Sequence, residues 1–369
     1  MKKLKMSKYV VVGIIAALAI FGIFFFNNIL FGDQSSIIPR APGYNLNQNE
    51  EPAELLDPNK EFSHLSAEFT SSASEIQETS DGIKYTVDPS KIRGGGPQKG
   101  GIGFDRGIPA LDENNIKFVS VSDADKWIED NELVLVLEHK GVKRVYPLQI
   151  LVWHEIANDV VAGDPIAITY CPLCGSGIAY FRVLDGEPVK FGTSGKLFNS
   201  NLVMYDDKTD TYWQQIDGNA IIGELTGYEL KAISVDTVVW RDYKKNYPDA
   251  EVLSQNTGMS RNYGRDPYGS YYEDSFLIFP VDESDDRIHS KTVVFGIEVN
   301  GEFKAYQEDD LIKKKVIKDT VGGVEIKIER DSSGIVKITN LKNGEEIIKE
   351  RDFWFAWYAF HPDTDLWEE

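Results

Sequence analysis

Apolar and polar positions alternate with a period of two along much of the chain beyond residue 115. That period predicts strands with one buried face. Residues 132–138 and 143–146 flank the turn His139-Lys140-Gly141-Val142 and predict a hairpin. Residues 166–170 alternate up to a cysteine, and 177–183 and 188–192 flank a turn at Asp185-Gly186. Residues 202–205 and 211–216 read as further strands. Helical periodicity is confined to short pieces at 122–130, 147–157 and 238–246. The aromatic run Phe353-Trp354-Phe355-Ala356-Trp357-Tyr358-Ala359-Phe360 has no polar face and reads as a buried final strand. The fold class is α+β and β-rich.

The pattern occurs twice. Shifted by 160 positions, 133–174 aligns without a gap on 293–334, with ten identities. Gly141 meets Gly301, Tyr146 meets Tyr306, Asp159 meets Asp319, and Gly163 meets Gly323. The expectation is an internal pseudo-duplication of a strand-turn-strand-helix-strand unit. His154 then faces Lys314, Cys171 faces Asp331, and Cys174 faces Gly334. The histidine and the sulfurs are additions to one copy that the unit itself does not require.

The N-terminal pattern is different. Residues 10–26 are an unbroken apolar run, preceded by Lys2, Lys3, Lys5 and Lys8. About 20 apolar residues span a bilayer. The expectation is a cytoplasmic N-terminus at 1–8 and an uncleaved single-pass anchor at 9–31, with the rest extracytoplasmic by the positive-inside rule. No Ala-x-Ala site follows the run to mark a cleaved signal, and no cysteine follows it to make a lipoprotein. Residues 32–114, rich in Pro, Ser, Asn, Glu and Gly, read as a largely irregular linker, and 115–369 as the folded domain. The net charge of −20 argues against nucleic acid as a partner. The bilayer is the one partner implied, and protein partners are not specified.

Chemistry concentrates in Tyr170-Cys171-Pro172-Leu173-Cys174-Gly175, which holds both cysteines of the chain. Cys-x-x-Cys spacing suits a shared metal ion or a small redox disulfide. His154 ends a predicted helix, and the next strand leads back towards it. Cys171, Cys174 and His154 are therefore candidate ligands for copper first and zinc second, with His361 or Glu155 completing the set. Glu155, Asn158 and Asp159 are candidates to orient the imidazole from behind. A packing role for His154 stays open. Ser194, Lys196 and Asn199 suggest an anion-binding polar cluster, or else a wide turn bonded to itself. No Gly-x-Ser-x-Gly frame surrounds Ser194, and the glycines at 94–103 lack the context of a phosphate loop.

These segments resemble the domain-of-unknown-function 3179 family. The resemblance rests on Gly94-Gly95-Gly96-Pro97, Gly107-Ile108-Pro109-Ala110-Leu111-Asp112, Arg144-Val145-Tyr146-Pro147 and Trp153-His154-Glu155-Ile156-Ala157-Asn158-Asp159. Thr169-Tyr170-Cys171-Pro172-Leu173-Cys174-Gly175 is its most specific part. Phe191-Gly192-Thr193-Ser194-Gly195, Asn199-Ser200-Asn201-Leu202-Val203-Met204-Tyr205-Asp206 and Phe360-His361-Pro362-Asp363-Thr364 complete it. Gln307 departs from the proline that tends to follow this tyrosine in such proteins. The resemblance implies one folded unit over about 94–364 and no settled activity. The functional expectation is a membrane-anchored extracytoplasmic protein with a Cys/His metal site. The alternatives are a thiol-disulfide redox protein and a non-catalytic cell-envelope binding module.

Overall fold

A computed structural model describes residues 50–71, 75–95 and 108–369. The expected anchor lies outside the described residues. No helix among the described residues is long and apolar enough to cross a membrane. The fold is β-rich α+β. Five α-helices, none longer than seven residues, punctuate the sheets of the described residues.

The hairpin Leu133–His139 and Val142–Pro147 forms as its turn chemistry predicts. Lys140 and Gly141 take φ of 50° and 84°, the left-handed pair of a two-residue hairpin. The helix Leu148–His154 follows and stops at Glu155, whose φ is 57°. The antiparallel strands Ile156–Val161 and Asp164–Cys171 come next. Ser176–Phe181 pairs with the latter and places Ser176 opposite Cys171. The elements Val293–Val299, Glu302–Gln307, Glu308–Lys314, Val316–Val321, Val324–Arg330 and Val336–Asn340 follow the same order.

A strand, a helix and a short parallel strand then close each hairpin into a four-strand run. In one, Glu251–Leu253 flanks Val142–Pro147, and Asp236–Val239 flanks Leu133–His139. In the other, Asp365–Leu366 flanks Glu302–Gln307, and Glu350–Phe353 flanks Val293–Val299. The intervening helices are Trp240–Asn246 and Trp354–Phe360. The aromatic run is therefore a helix, not the final strand expected. It lacks a polar face because Trp354, Phe355, Ala356, Trp357 and Ala359 are all buried.

Phe191–Phe198, Asn201–Asp206, Tyr212–Gln214 and Ala220–Ile222 form the middle of a seven-stranded sheet. The segment expected to be irregular linker supplies edges to these sheets. Arg93–Gly94 pairs with Phe191–Phe198, Lys84–Tyr85 with Ala220–Ile222, and Glu51–Pro52 with Lys117–Ser120. The core is continuous around the cysteines, where Cys171, Leu173 and Cys174 pack with Tyr271, Phe353, Phe355 and Ala356.

Candidate metal centre and the neighbouring thiols

Cys171 ends its strand, and the chain turns through Pro172 and Leu173. Cys174 N–H donates to the Cys171 carbonyl at 3.2 Å, and Gly175, with φ of 64°, brings the chain back. A side chain at Gly175 would meet the Phe353 ring at 3.0 Å. Both thiols are free and buried, and both face the Ser200 carbonyl, at 3.8 and 3.5 Å. Asn201 donates its amide to the Cys174 sulfur at 3.6 Å. The two sulfurs have different environments. Burial and the adjacent Cys171 push the Cys174 thiol well up. Burial also acts on Cys171, but hydrogen bonds from the Cys174 thiol and backbone N–H groups outweigh it and bring that thiol down.

His154 does not turn its ring to these sulfurs. Its Nδ1 lies 2.7 Å from the Pro109 carbonyl and its Nε2 lies 2.6 Å from the Tyr263 hydroxyl. Both nitrogens are occupied, and burial lowers the pKa to about 4, so the ring is neutral at pH 7. The packing role left open for His154 is the one observed. Asn158 bonds to Leu111 and Phe191, while Asp159 accepts from Tyr146 at 2.6 Å. Neither touches the imidazole by any of these bonds. Glu155 is buried, and its carboxyl is held well above the usual range by burial and by the neighbouring Cys171.

His361 belongs to a different cluster. One ligand atom each from Asp217, Glu350 and His361 lies within 4.8 Å of the other two, the sole such group of three among the described residues. Period-two geometry turns Glu350 and Asp352 to one face of their strand. Arg351, on the opposite face, pairs with Glu308 at 3.0 Å. His361 caps the helix Trp354–Phe360 and stacks on Phe303, with ring centroids 4.4 Å apart. Asp217 sits in a tight turn ending at Gly218, where φ is 71° and a Cβ would meet the Tyr180 ring at 2.6 Å. The Tyr180 hydroxyl holds that turn through the Gln215 and Ile216 carbonyls, at 2.9 and 3.0 Å.

The cluster is short of hydrogen-bond partners. Glu350 Oε2, both Asp352 carboxylate oxygens and His361 Nε2 are buried without one. Asp352 is fully buried, and the nearby Ser176 hydroxyl and Arg351 charge only partly offset that burial. Burial raises Asp352 to about 7; burial and the Asp352 charge raise Asp217 to about 7. Burial and the same neighbours raise Glu350 well above its ordinary value. Burial lowers His361 to about 4, so its 3.5 Å approach to Asp217 is no ion pair at pH 7. Acidic groups crowd here with an uncharged imidazole, and among the described residues no cationic side chain bonds to the orphaned oxygens. The Asp217 side chain is 21% exposed and opens the cluster to solvent.

A family model described as "Protein of unknown function (DUF3179)" matches residues 105–364. This chain belongs to the DUF3179 family. The match spans both thiols, Asp217, Glu350, Asp352 and His361 of this DUF3179 protein. No curated protein and no solved structure matches it.

Around Ser194, where a polar cluster was expected, the Ser194 and Asn199 side chains bond to backbone groups. Residues 191–198 are a strand with a bulge between Thr193 and Lys196. The Ser194 hydroxyl donates to the Val203 carbonyl and accepts from Lys196 N–H, stitching the bulge. Asn199 takes φ of 46° in the following turn, donates to the Ala359 carbonyl and accepts from Asp282 N–H. Asp217, Glu350 and Asp352 were not foreseen. For Glu350 and Asp352 the signal was an acid pair at i and i+2 leading straight into a buried aromatic run.

Proposed function

We propose that this DUF3179 protein binds a divalent first-row cation through Asp217, Glu350 and His361, with Asp352 adding negative charge beside them. Two carboxylates and an imidazole suit Zn(II) better than Cu(I), which prefers sulfur, so zinc replaces copper as first choice. The observation that carries the reading is the set of orphaned buried atoms. Uncompensated buried carboxylates cost several kcal/mol, about what a bound cation offsets. When bound, such an ion supplies Lewis acidity or a structural cross-link. The chain's part is to hold the three donors on a rigid strand, a helix end and a clamped turn, with Asp217 towards solvent.

The site fits an internal duplication, which we also infer. A shift of 160 positions for the hairpin side and of 114 for the closure side relates backbone bonds as well as residues. Trp240 N–H donates to the Glu132 carbonyl, and Trp354 N–H to the Thr292 carbonyl, both at 2.8 Å. The Trp240 indole donates to Asp125, and the Trp354 indole to Asp285. On this reading Val238 stands where Asp352 does, and Tyr247 where His361 does. The lysine-flanked apolar run supports an anchored, extracytoplasmic placement of the site.

Isothermal titration of Zn(II), Mn(II) and Cu(I) into the metal-free whole chain tests the proposal. The expected result is one Zn(II) per chain, with affinity reduced about 10- to 100-fold or more in Glu350→Gln and His361→Gln. Cys171→Ser should bind zinc normally. Undiminished binding in both cluster variants, or no zinc uptake at all, overturns it.

A further inference from the structure

The thiols take no part in that cation site, and the fold does not require them. At the equivalent turn, 331–334, Gly334 N–H donates to the Asp331 carbonyl at 3.3 Å, matching the 3.2 Å bond of the cysteine turn. There the Asp331 carboxylate accepts from the Ser333 and Ile335 N–H groups and completes the turn without sulfur. A hydrogen-bonded four-residue turn also keeps its end Cα atoms within about 7 Å, compatible with a disulfide between them.

A cover lies over this pair. Between Leu253 and Val293 the chain runs as a long excursion with one short 3-10 turn, Gly269–Tyr272. Loops of this length are uncommon unless they serve a site. The Tyr271 hydroxyl donates to the Leu173 carbonyl, inside the cysteine turn, at 3.0 Å. The Lys291 ammonium lies over the Tyr271 ring at 3.5 Å and donates to the Tyr271 and Phe276 carbonyls. Tyr263 and Asp282 fix the same excursion to His154 and Asn199. The cover also packs on the core through Tyr271, Leu277, Ile278, Phe279 and Val281, and one of its polar attachments is on the cysteine turn itself.

We infer that Cys171 and Cys174 are a redox-active dithiol that exchanges with small disulfides when the cover lifts from the turn. Cys171 sulfur attacks one sulfur of the oxidant disulfide, its S–H bond breaks, and the first thiol leaves with that proton. Cys174 sulfur then attacks Cys171 sulfur, its S–H bond breaks, and the second thiol leaves with the second proton. Two protein S–H bonds and one oxidant S–S bond become one protein S–S bond and two free thiols. The protein pair is oxidised and the small disulfide reduced. The lower pKa of Cys171 fits it to attack first.

The test uses the reduced whole chain in glutathione buffers of graded oxidation, with chelator present, read by intact mass. The expected result is reversible loss of two hydrogens in the folded protein. Cys174→Ser should trap glutathione on Cys171 at least about tenfold faster than Cys171→Ser traps it on Cys174. Tyr271→Phe should speed oxidation several-fold and leave the equilibrium ratio unchanged. Failure of the folded chain to oxidise in any buffer in which the urea-unfolded chain does so overturns the inference. So does equal trapping in the two single variants. Chelator is present throughout, so the outcome does not depend on whether the cation site binds, which separates this result from that of the cation site.

Discussion

The two strand–helix–strand closures, 236–253 and 350–366, share an element order and pairing but have opposite electrostatics. In the first, the Asp236 carboxylate accepts from Lys349 at 3.1 Å and from Val336 N–H at 2.9 Å. In the second, the matching Glu350 is joined by Asp352, and three of their four carboxylate oxygens are orphaned. On the proposed duplication, Val238, buried and apolar, stands where Asp352 does. On that reading the backbone forms with an apolar residue at that position. The buried carboxylate is a burden on folding and has no packing role, which is what a ligand-facing group looks like.

The same contrast runs through the units that precede the closures. Ile156–Val161 is buried at every position, whereas Val316–Val321 alternates with solvent. The largest effect should separate these strands. Ile156→Ala removes a fully buried side chain and should cost about 2–5 kcal/mol in urea unfolding. Val316, 44% exposed, should lose at most about 0.5 kcal/mol when cut to alanine. Equal losses would show that the two strands do not differ in the way their burial indicates.

That contrast explains what the sequence revealed and what it hid. The hairpins were legible because alternation and the His139-Lys140-Gly141 turn specify a local conformation. The helix Trp354–Phe360 was not. A segment buried on all sides has no periodicity to distinguish helix from strand. Cys171 and Cys174 were visible as a pair because four residues hold both. His154 was misplaced because sequence proximity does not fix ring direction, and Tyr263 comes from a distant loop to take its Nε2. Asp217, Glu350 and His361 come from three separate stretches, and only the tertiary fold brings them together.

The next effect in size is a gain. Asp352→Val restores the residue type of the first closure and should stabilise the metal-free chain by about 1–3 kcal/mol at pH 8. The sign with pH follows from its folded pKa of about 7, raised above the unfolded value by burial. Stability from this group is full below the ordinary carboxylate range and is lost as pH rises through about 7. The advantage of the variant should therefore grow between pH 4 and pH 8 in thermal melts. A variant that melts lower than wild type at pH 8 without metal would refute this account of Asp352.

An effect of similar size but opposite sign should appear at the tyrosine–aspartate pair found in both units. Tyr146 donates to Asp159 at 2.6 Å inside the core, and Tyr306 donates to Asp319 at 2.9 Å near the surface. Tyr146→Phe leaves a fully buried carboxylate short of a donor and should cost about 1–3 kcal/mol. Tyr306→Phe should cost less, because Lys304 still contacts Asp319 at 2.7 Å and water reaches it. Chemical denaturation of both variants in one buffer makes the comparison, and a larger loss from Tyr306→Phe would reverse it.

The finest difference lies in the sign of a pH slope. Burial raises the Asp159 pKa despite Arg144 and Tyr146 nearby. Asp319 is also partly desolvated, but hydrogen bonds from Lys304, the Thr320 N–H and Tyr306 outweigh this and lower it. Asp159 therefore contributes stability below the unfolded carboxylate pKa and loses it as pH rises through its folded value. Asp319 contributes stability above the unfolded value and loses it as pH falls through its own. Relative to wild type, Asp159→Asn should fare better as pH rises from acid to neutral, and Asp319→Asn worse. Melting temperatures across that range for the two variants would reveal opposite slopes. Parallel slopes would mean that burial does not distinguish the paired aspartates, and the contrast between the units would then be one of packing alone.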